Sequence, residues 1–173
     1  MVANEGVEER FAREQRRRAG SNGGVLRIVY MAAFLVDVGE CLASPFGGTL
    51  PPFIPTDDQD MCIMLDPQTR FYHDLPKPEQ DHWASELRRS PVSTQYTALT
   101  HAAYLCHPTS YIVTSEDQGL PQVIQRKMVQ DMCDKYGITI PTTTLQASHS
   151  PFLSMPEELL DAVKRFIAAD GRL

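Results

Sequence analysis

Two side chains in this sequence have the type and the placement needed to move a proton. Asp117 stands in Ser115-Glu-Asp-Gln-Gly-Leu-Pro121, and His149 stands in Ala147-Ser-His-Ser-Pro-Phe152. Each follows a short stretch with strand composition, Ser110–Ser115 and Ile138–Leu145. A carboxylate bonded to an imidazole fixes the ring tautomer and stabilises the imidazolium, which lets the ring act as a general base. In open parallel sheets the ligand crevice lies at the carboxyl ends of the strands, where both residues would emerge. Glu116 competes for the acid role, because side-chain direction at a strand end is not readable from sequence. A lone Asp and a lone His in loops are also ordinary surface or capping residues. His73, His82, His101 and His107 lack the strand-end placement. His73 and His82 are nine residues apart in a loop-rich stretch, so no metal site is expected.

The surrounding segments predict the frame for this pair. Residues 5–18 are rich in Glu, Arg, Ala and Gln and read as a polar helix ending at Gly20. Arg16-Arg17-Arg18 reads as part of its solvated face, since Glu8, Glu9 and Glu14 lie nearby. The apolar run Val25–Leu35 predicts a strand buried on both faces. Residues 37–100 are rich in Pro and hold Phe46, Phe53, Phe71, Tyr72 and Trp83. They predict a loop-rich lid, with one short helix over Lys77–Arg89. Phe71, Tyr72 and Trp83 are the candidate substrate-binding residues of that lid. Pro121 opens a helix to about Tyr136, and Gly137 suits its C-cap. Ile124, Met128 and Met132 form its apolar stripe, expected to be core. Ser154-Met-Pro-Glu157 has the form of a capping box before an amphipathic last helix carrying Leu159, Leu160, Val163, Phe166 and Ile167. The fold class is α/β, with a mostly parallel sheet, flanking helices and a lid insertion. The division is one domain over 1–173: helix and loop 1–24, core strand 25–36, lid 37–100, and a strand-helix-strand-helix core 101–173.

The chain has 173 residues, 16 basic and 22 acidic side chains and a net charge of −6. That balance argues against nucleic acid as a partner, because phosphate binding needs clustered cations. The longest apolar run, Val25–Val38, is interrupted by Arg27 and Asp37 and is too short to span a bilayer. No membrane partner is expected, and no secretory leader is visible. Cys41, Cys62, Cys106 and Cys133 are widely spaced and read as separate thiols in a reducing, cytoplasmic setting. No Gly-rich phosphate loop occurs, so no cofactor is expected.

Four separated segments resemble, in order, the C-terminal half of an α/β-hydrolase of the compact branch that includes methylesterases, hydroxynitrile lyases and small esterases. Val25–Leu35 resembles the strand after the nucleophile helix. Phe71-Tyr-His-Asp-Leu-Pro76 resembles the lid's aromatic-Asp-Leu-Pro turn. Tyr111-Ile-Val-Thr-Ser-Glu-Asp-Gln-Gly-Leu-Pro121 resembles the strand and loop of the triad acid, and favours Asp117 over Glu116. Ser148-His-Ser-Pro-Phe152, followed by Met155-Pro-Glu-Glu-Leu159, resembles the catalytic-His loop and final helix. The resemblance implies that Asp117 and His149 are catalytic, and that a small ester or lactone of metabolite biosynthesis is the substrate class.

The same resemblance exposes a departure. The family carries a G-x-S-x-G nucleophile elbow, and none occurs in these 173 residues. Ser21 in Gly20-Ser-Asn-Gly-Gly24 lacks the preceding strand and following helix of an elbow. The expectation is an incomplete triad in a truncated hydrolase fold, weak or inactive alone, with an unpaired sheet edge through which copies of the chain can associate. Two other readings stand beside it: a proton-transferring lyase or cyclase, and a non-catalytic binding protein. Ser148, Ser150, water or a partner chain are the alternative sources of a nucleophile.

Overall fold

A computed structural model describes residues 2–169; Met1 and residues 170–173, the outer ends of the division above, lie outside the described residues. In chain order the strands are β1 (Ile28–Met31), β2 (Met61–Cys62), β3 (Ser90–Pro91), β4 (Thr109–Thr114) and β5 (Thr142–Leu145). Strands β1, β4 and β5 form one sheet in the order β1-β4-β5, both pairings parallel. All six residues of β4 are buried. Its side chains alternate between two apolar layers, as the period-2 geometry of a strand requires. Tyr111 and Val113 face a layer with Tyr30, Leu99, Met128, Val129 and Met132, while Ile112 faces Leu145, Ala147, Ala162 and Phe166. The first layer is roofed by the helix Gln122–Tyr136 and the second by the helix Pro156–Ala168. Met128 and Met132 are buried, so the methionine stripe is core. Gly137 ends its helix at φ 63°, a left-handed turn that glycine adopts without Cβ strain.

Three local expectations are corrected. The strand expected over Val25–Leu35 is only Ile28–Met31. Ala32 takes φ 45° and turns the chain out of the ladder. The Tyr111 hydroxyl then satisfies Ala33, donating to its carbonyl at 2.5 Å and accepting from its N–H at 3.2 Å. Leu35 and Val36 are fully buried without being a strand. Period alone cannot separate these states, because a buried coil and a buried strand are equally apolar.

The helix expected over residues 5–18 is broken into Val2–Gly6, Glu9–Phe11 and Arg13–Arg18. Long-range bonds decide this. Phe11 O and Arg13 N both bond to the backbone of Val25, and the carbonyls of Val7 and Glu8 meet His101 and His107. Arg16 bonds to the carbonyls of Asn22 and Gly23, and Arg17 pairs with Glu14. The capping box is also absent. Met155, with no side-chain cap, precedes the helix Pro156–Ala168, and Pro156 at its first position removes one of the N–H groups that would need capping.

Residues 37–100 hold short elements joined by loops. They include the helices Pro67–Phe71, Lys77–Glu86 and Ser93–Tyr96 and the antiparallel β2–β3 pair. The excursion is anchored at its start by Asp37, which is 5% exposed. Its carboxylate accepts from Tyr136 Oη at 2.5 Å and Val38 N at 2.7 Å, and pairs with Lys135. Burial pushes the Asp37 carboxyl up, but the bonds from Lys135 and Tyr136 outweigh it and leave it below the usual range. A depressed folded-state value stabilises the fold above the carboxyl's unfolded value, and that contribution disappears as pH falls through the folded value. Asp37→Asn is therefore expected to lower the urea midpoint at pH 7, with the gap to wild type closing in strong acid. A gap of constant size down to pH 2 would contradict this.

Candidate active site

Strands β4 and β5 are parallel neighbours, so the loops after Thr114 and Leu145 leave the same end of the sheet. Ser115 N and Glu116 N bond to Leu145 O and Ala147 O, which carries the pairing past the strand ends and holds the two loops together. Asp117 and His149 meet there: His149 Nδ1 lies 2.8 Å from Asp117 Oδ2. The Asp117 side chain is 0% exposed and that of His149 is 29% exposed.

The Asp117 carboxylate accepts five hydrogen bonds, from Thr114 Oγ1, Gly119 N, Leu120 N, Gln125 Nε2 and His149 Nδ1. Gln125 is fully buried and also bridges Thr114 and Leu120. The acid is thus fixed by its own loop and by the first turn of the next helix. A carboxylate only accepts, so the neutral ring carries its proton on Nδ1. Nε2 keeps its lone pair and has no hydrogen-bond partner among the described residues. This is the tautomer a general base needs.

His149 lines a cavity of about 180 Å³ whose other walls are mostly apolar, including Phe34, Phe46, Leu50, Phe71 and Leu120. Phe71 stacks on the His149 ring, with centroids 4.6 Å apart and an interplanar angle of 30°. Gly119 backs Phe71: a Cβ placed there would lie 2.5 Å from Phe71 Cε1. Gly119→Ala must displace that ring, at an expected cost of about 1–3 kcal/mol. It should also move the His149 ring-proton resonances, which the Phe71 ring current sets. Unchanged resonances and an unchanged urea midpoint would rule out this wedge.

The sequence pattern of the alpha/beta hydrolase family matches residues 9–162. The chain belongs to that family. It is 29% identical over 146 residues to "Alpha/beta hydrolase nvfD" of Aspergillus novofumigatus, covering 82% of this chain and 57% of that protein. Among solved structures, a pyrethroid hydrolase from Sphingobium faniae JZ-2 superposes with TM-score 0.63 at 21% identity, over 91% of this chain and 66% of the other. Polyneuridine aldehyde esterase superposes with TM-score 0.62 at 16% identity, over 88% and 64%. The chain thus spans less than two thirds of the length of these relatives.

In this alpha/beta hydrolase chain Glu116 points elsewhere. It accepts from Gln146 at 2.8 Å and lies 4.0 Å from His73 Nε2. Ser148 Oγ is buried and donates to Phe71 O at 2.8 Å, and Ser150 is 3% exposed. Neither serine is free to attack a substrate. Ser21 is exposed in a loop remote in sequence from the pair.

Of the three aromatics expected to bind substrate, the structure brings one to His149. Phe71 lines the cavity. Tyr72 is 8% exposed and packs edge-on against Phe71 at 5.9 Å, so it supports the wall from behind. Trp83 lies on the helix Lys77–Glu86 against His82, and is not part of the cavity wall.

Two supports were missed by sequence reasoning. Gln125 is a polar residue on the buried side of the methionine helix, three positions before Met128, which was a usable signal. Asp74, within the quoted aromatic-Asp-Leu-Pro turn, accepts from Ser148 N at 2.8 Å and ties the excursion to the His149 loop. Burial raises the Asp74 carboxyl, and hydrogen bonding by Ser148 outweighs it, leaving the group below its ordinary value. Among the described residues no cluster of three or more His, Cys, Asp or Glu is placed to hold a metal. No helix there is long and apolar enough to cross a membrane.

Proposed function

We propose that this chain carries the acid–base half of a hydrolase for small carboxylic esters or lactones with an apolar acyl group. The observation that carries the reading is the Asp117–His149 hydrogen bond beside an apolar cavity. His149 Nε2 takes a proton from a water molecule, whose oxygen attacks the ester carbonyl. The protonated ring then returns that proton to the departing alkoxide, giving acid and alcohol. Asp117 holds the ring and stabilises its cation. Structural relatives named as a pyrethroid hydrolase and as polyneuridine aldehyde esterase support the reaction class. Phe71 and its apolar neighbours form the lid side of the substrate cavity.

No G-x-S-x-G occurs in the sequence. On its own the chain is therefore expected to turn esters over slowly, with water as the attacking group, or not at all. The test joins 4-nitrophenyl butanoate turnover to intact-mass labelling with a fluorophosphonate. Any rate above buffer should vanish in His149→Ala, and no serine adduct should form. Turnover that survives His149→Ala would overturn the assignment of the base. A serine adduct lost only in that variant would place a nucleophile within the chain. The buried, already bonded Ser148 favours one second reading, a proton-transferring lyase. Proton exchange into a carbonyl compound that depends on His149, without ester turnover, would select it.

A further inference from the structure

The His149 cavity, at about 180 Å³, is small for a whole ligand, since ligand sites usually enclose about 300–1,000 Å³. A second cavity of about 370 Å³ adjoins it. Ile54, Met64, Phe71 and Gln95 line both, so these four side chains form a shared partition. The outer space is floored by apolar groups, among them Ile63, Pro67, Ala84 and Leu87. Its polar rim differs from that of the inner space. Arg88 and Arg89 line it, and among the described residues no carboxylate does. Arg89 is engaged by Asp57. Arg88 is the freer of the two: its side chain is 84% exposed, and its nearest acid, Glu86, is 4.0 Å away. The chain as a whole is acidic, at −6, so a cationic rim here is local and not a consequence of the overall field.

We propose that the two cavities form one binding site for an elongated, anionic substrate. Its ester lies at His149, its apolar body passes the Phe71 partition, and a terminal carboxylate lies at Arg88. The inference rests on the ester-cleaving reading for the placement of the ester, but the partition and the rim are read from the cavity walls. The long Arg88 stem covers apolar surface while its head stays in water. A carboxylate arriving along the apolar floor meets that head as a charge-assisted hydrogen bond.

The test is binding, without turnover, by the full chain. Monomethyl decanedioate carries an ester at one end and a carboxylate at the other. Methyl decanoate has the same length and no charge, and methyl butanoate fills only the inner cavity. The chain has one tryptophan, Trp83, next to Ala84 of the outer wall, so its fluorescence reports occupancy; calorimetry gives the affinities. Wild type should bind the half-ester about 5–10-fold more tightly than methyl decanoate at low salt. Arg88→Gln should erase that preference. Ala84→Phe should weaken both long probes by about tenfold or more and leave methyl butanoate unchanged. A preference that survives Arg88→Gln, or long-probe binding indifferent to Ala84→Phe, overturns the proposal, as does failure of the long probes to bind. Absence of ester turnover in the wild-type chain concerns the other reading and does not bear on these affinities.

Discussion

Asp117→Ala is expected to cost about 2–5 kcal/mol of unfolding free energy, because several buried donors lose their acceptor at once. The carboxylate is fully buried and accepts from five donors. Truncation leaves the N–H groups of Gly119 and Leu120 without an acceptor, and each unsatisfied buried donor costs about 1–3 kcal/mol. These costs overlap, since Gln125 and Thr114 can rearrange together, so they do not sum. Domains are stable by only about 5–15 kcal/mol, and the loss is a large share of that. Urea unfolding followed by far-UV circular dichroism measures it. Ser21→Ala, in an exposed loop, serves as the control and should lie within about 0.5 kcal/mol of wild type. A loss below about 1 kcal/mol for Asp117→Ala would mean that the carboxylate is not the hub of this loop.

Asp117→Asn separates that structural role from the chemical one. The amide keeps the shape and keeps an oxygen for the backbone donors of Gly119 and Leu120. Its NH2 then faces His149 Nδ1, which must accept, so the ring proton moves to Nε2. A base whose lone pair is occupied by a proton cannot take another. In triad enzymes this exchange costs about 10⁴-fold in rate. Here the His149-dependent ester turnover should fall to the level of His149→Ala, while the urea midpoint moves far less than in Asp117→Ala. Nitrogen-15 shifts of the imidazole give an independent readout, with the protonated nitrogen changing from Nδ1 to Nε2. A variant with the wild-type tautomer and wild-type turnover would show that Asp117 does not set the state of the ring.

The parts of the fold that sequence made legible are those where one local signal and the tertiary context agree. Thr109–Thr114 is apolar or β-branched except at Ser110 and is buried on both faces. The helix Gln122–Tyr136 has Pro before it, Gly after it and a stripe between. The illegible parts are those where a distant group overrides local preference. The helix-forming composition of residues 5–18 is cut by bonds to Val25, His101 and His107. The apolar run after Met31 leaves the sheet because Tyr111 supplies the bonds its backbone would otherwise seek in a ladder.

The sequence by itself determined the type of element on either side of Asp117 and His149, and hence that both residues stand at strand ends. It also determined which motifs these 173 residues hold, and G-x-S-x-G is not among them. The family resemblance favoured Asp117 over Glu116; the tertiary structure adds which carboxylate meets the His149 ring, and that is Asp117, held by buried donors from Thr114, Gly119, Leu120 and Gln125. It likewise brought Phe71 to the His149 ring and left Trp83 outside the inner cavity. Aromatic residues in a loop-rich stretch share one composition, and their separation is set by which of them the chain path delivers to the sheet's carboxyl end.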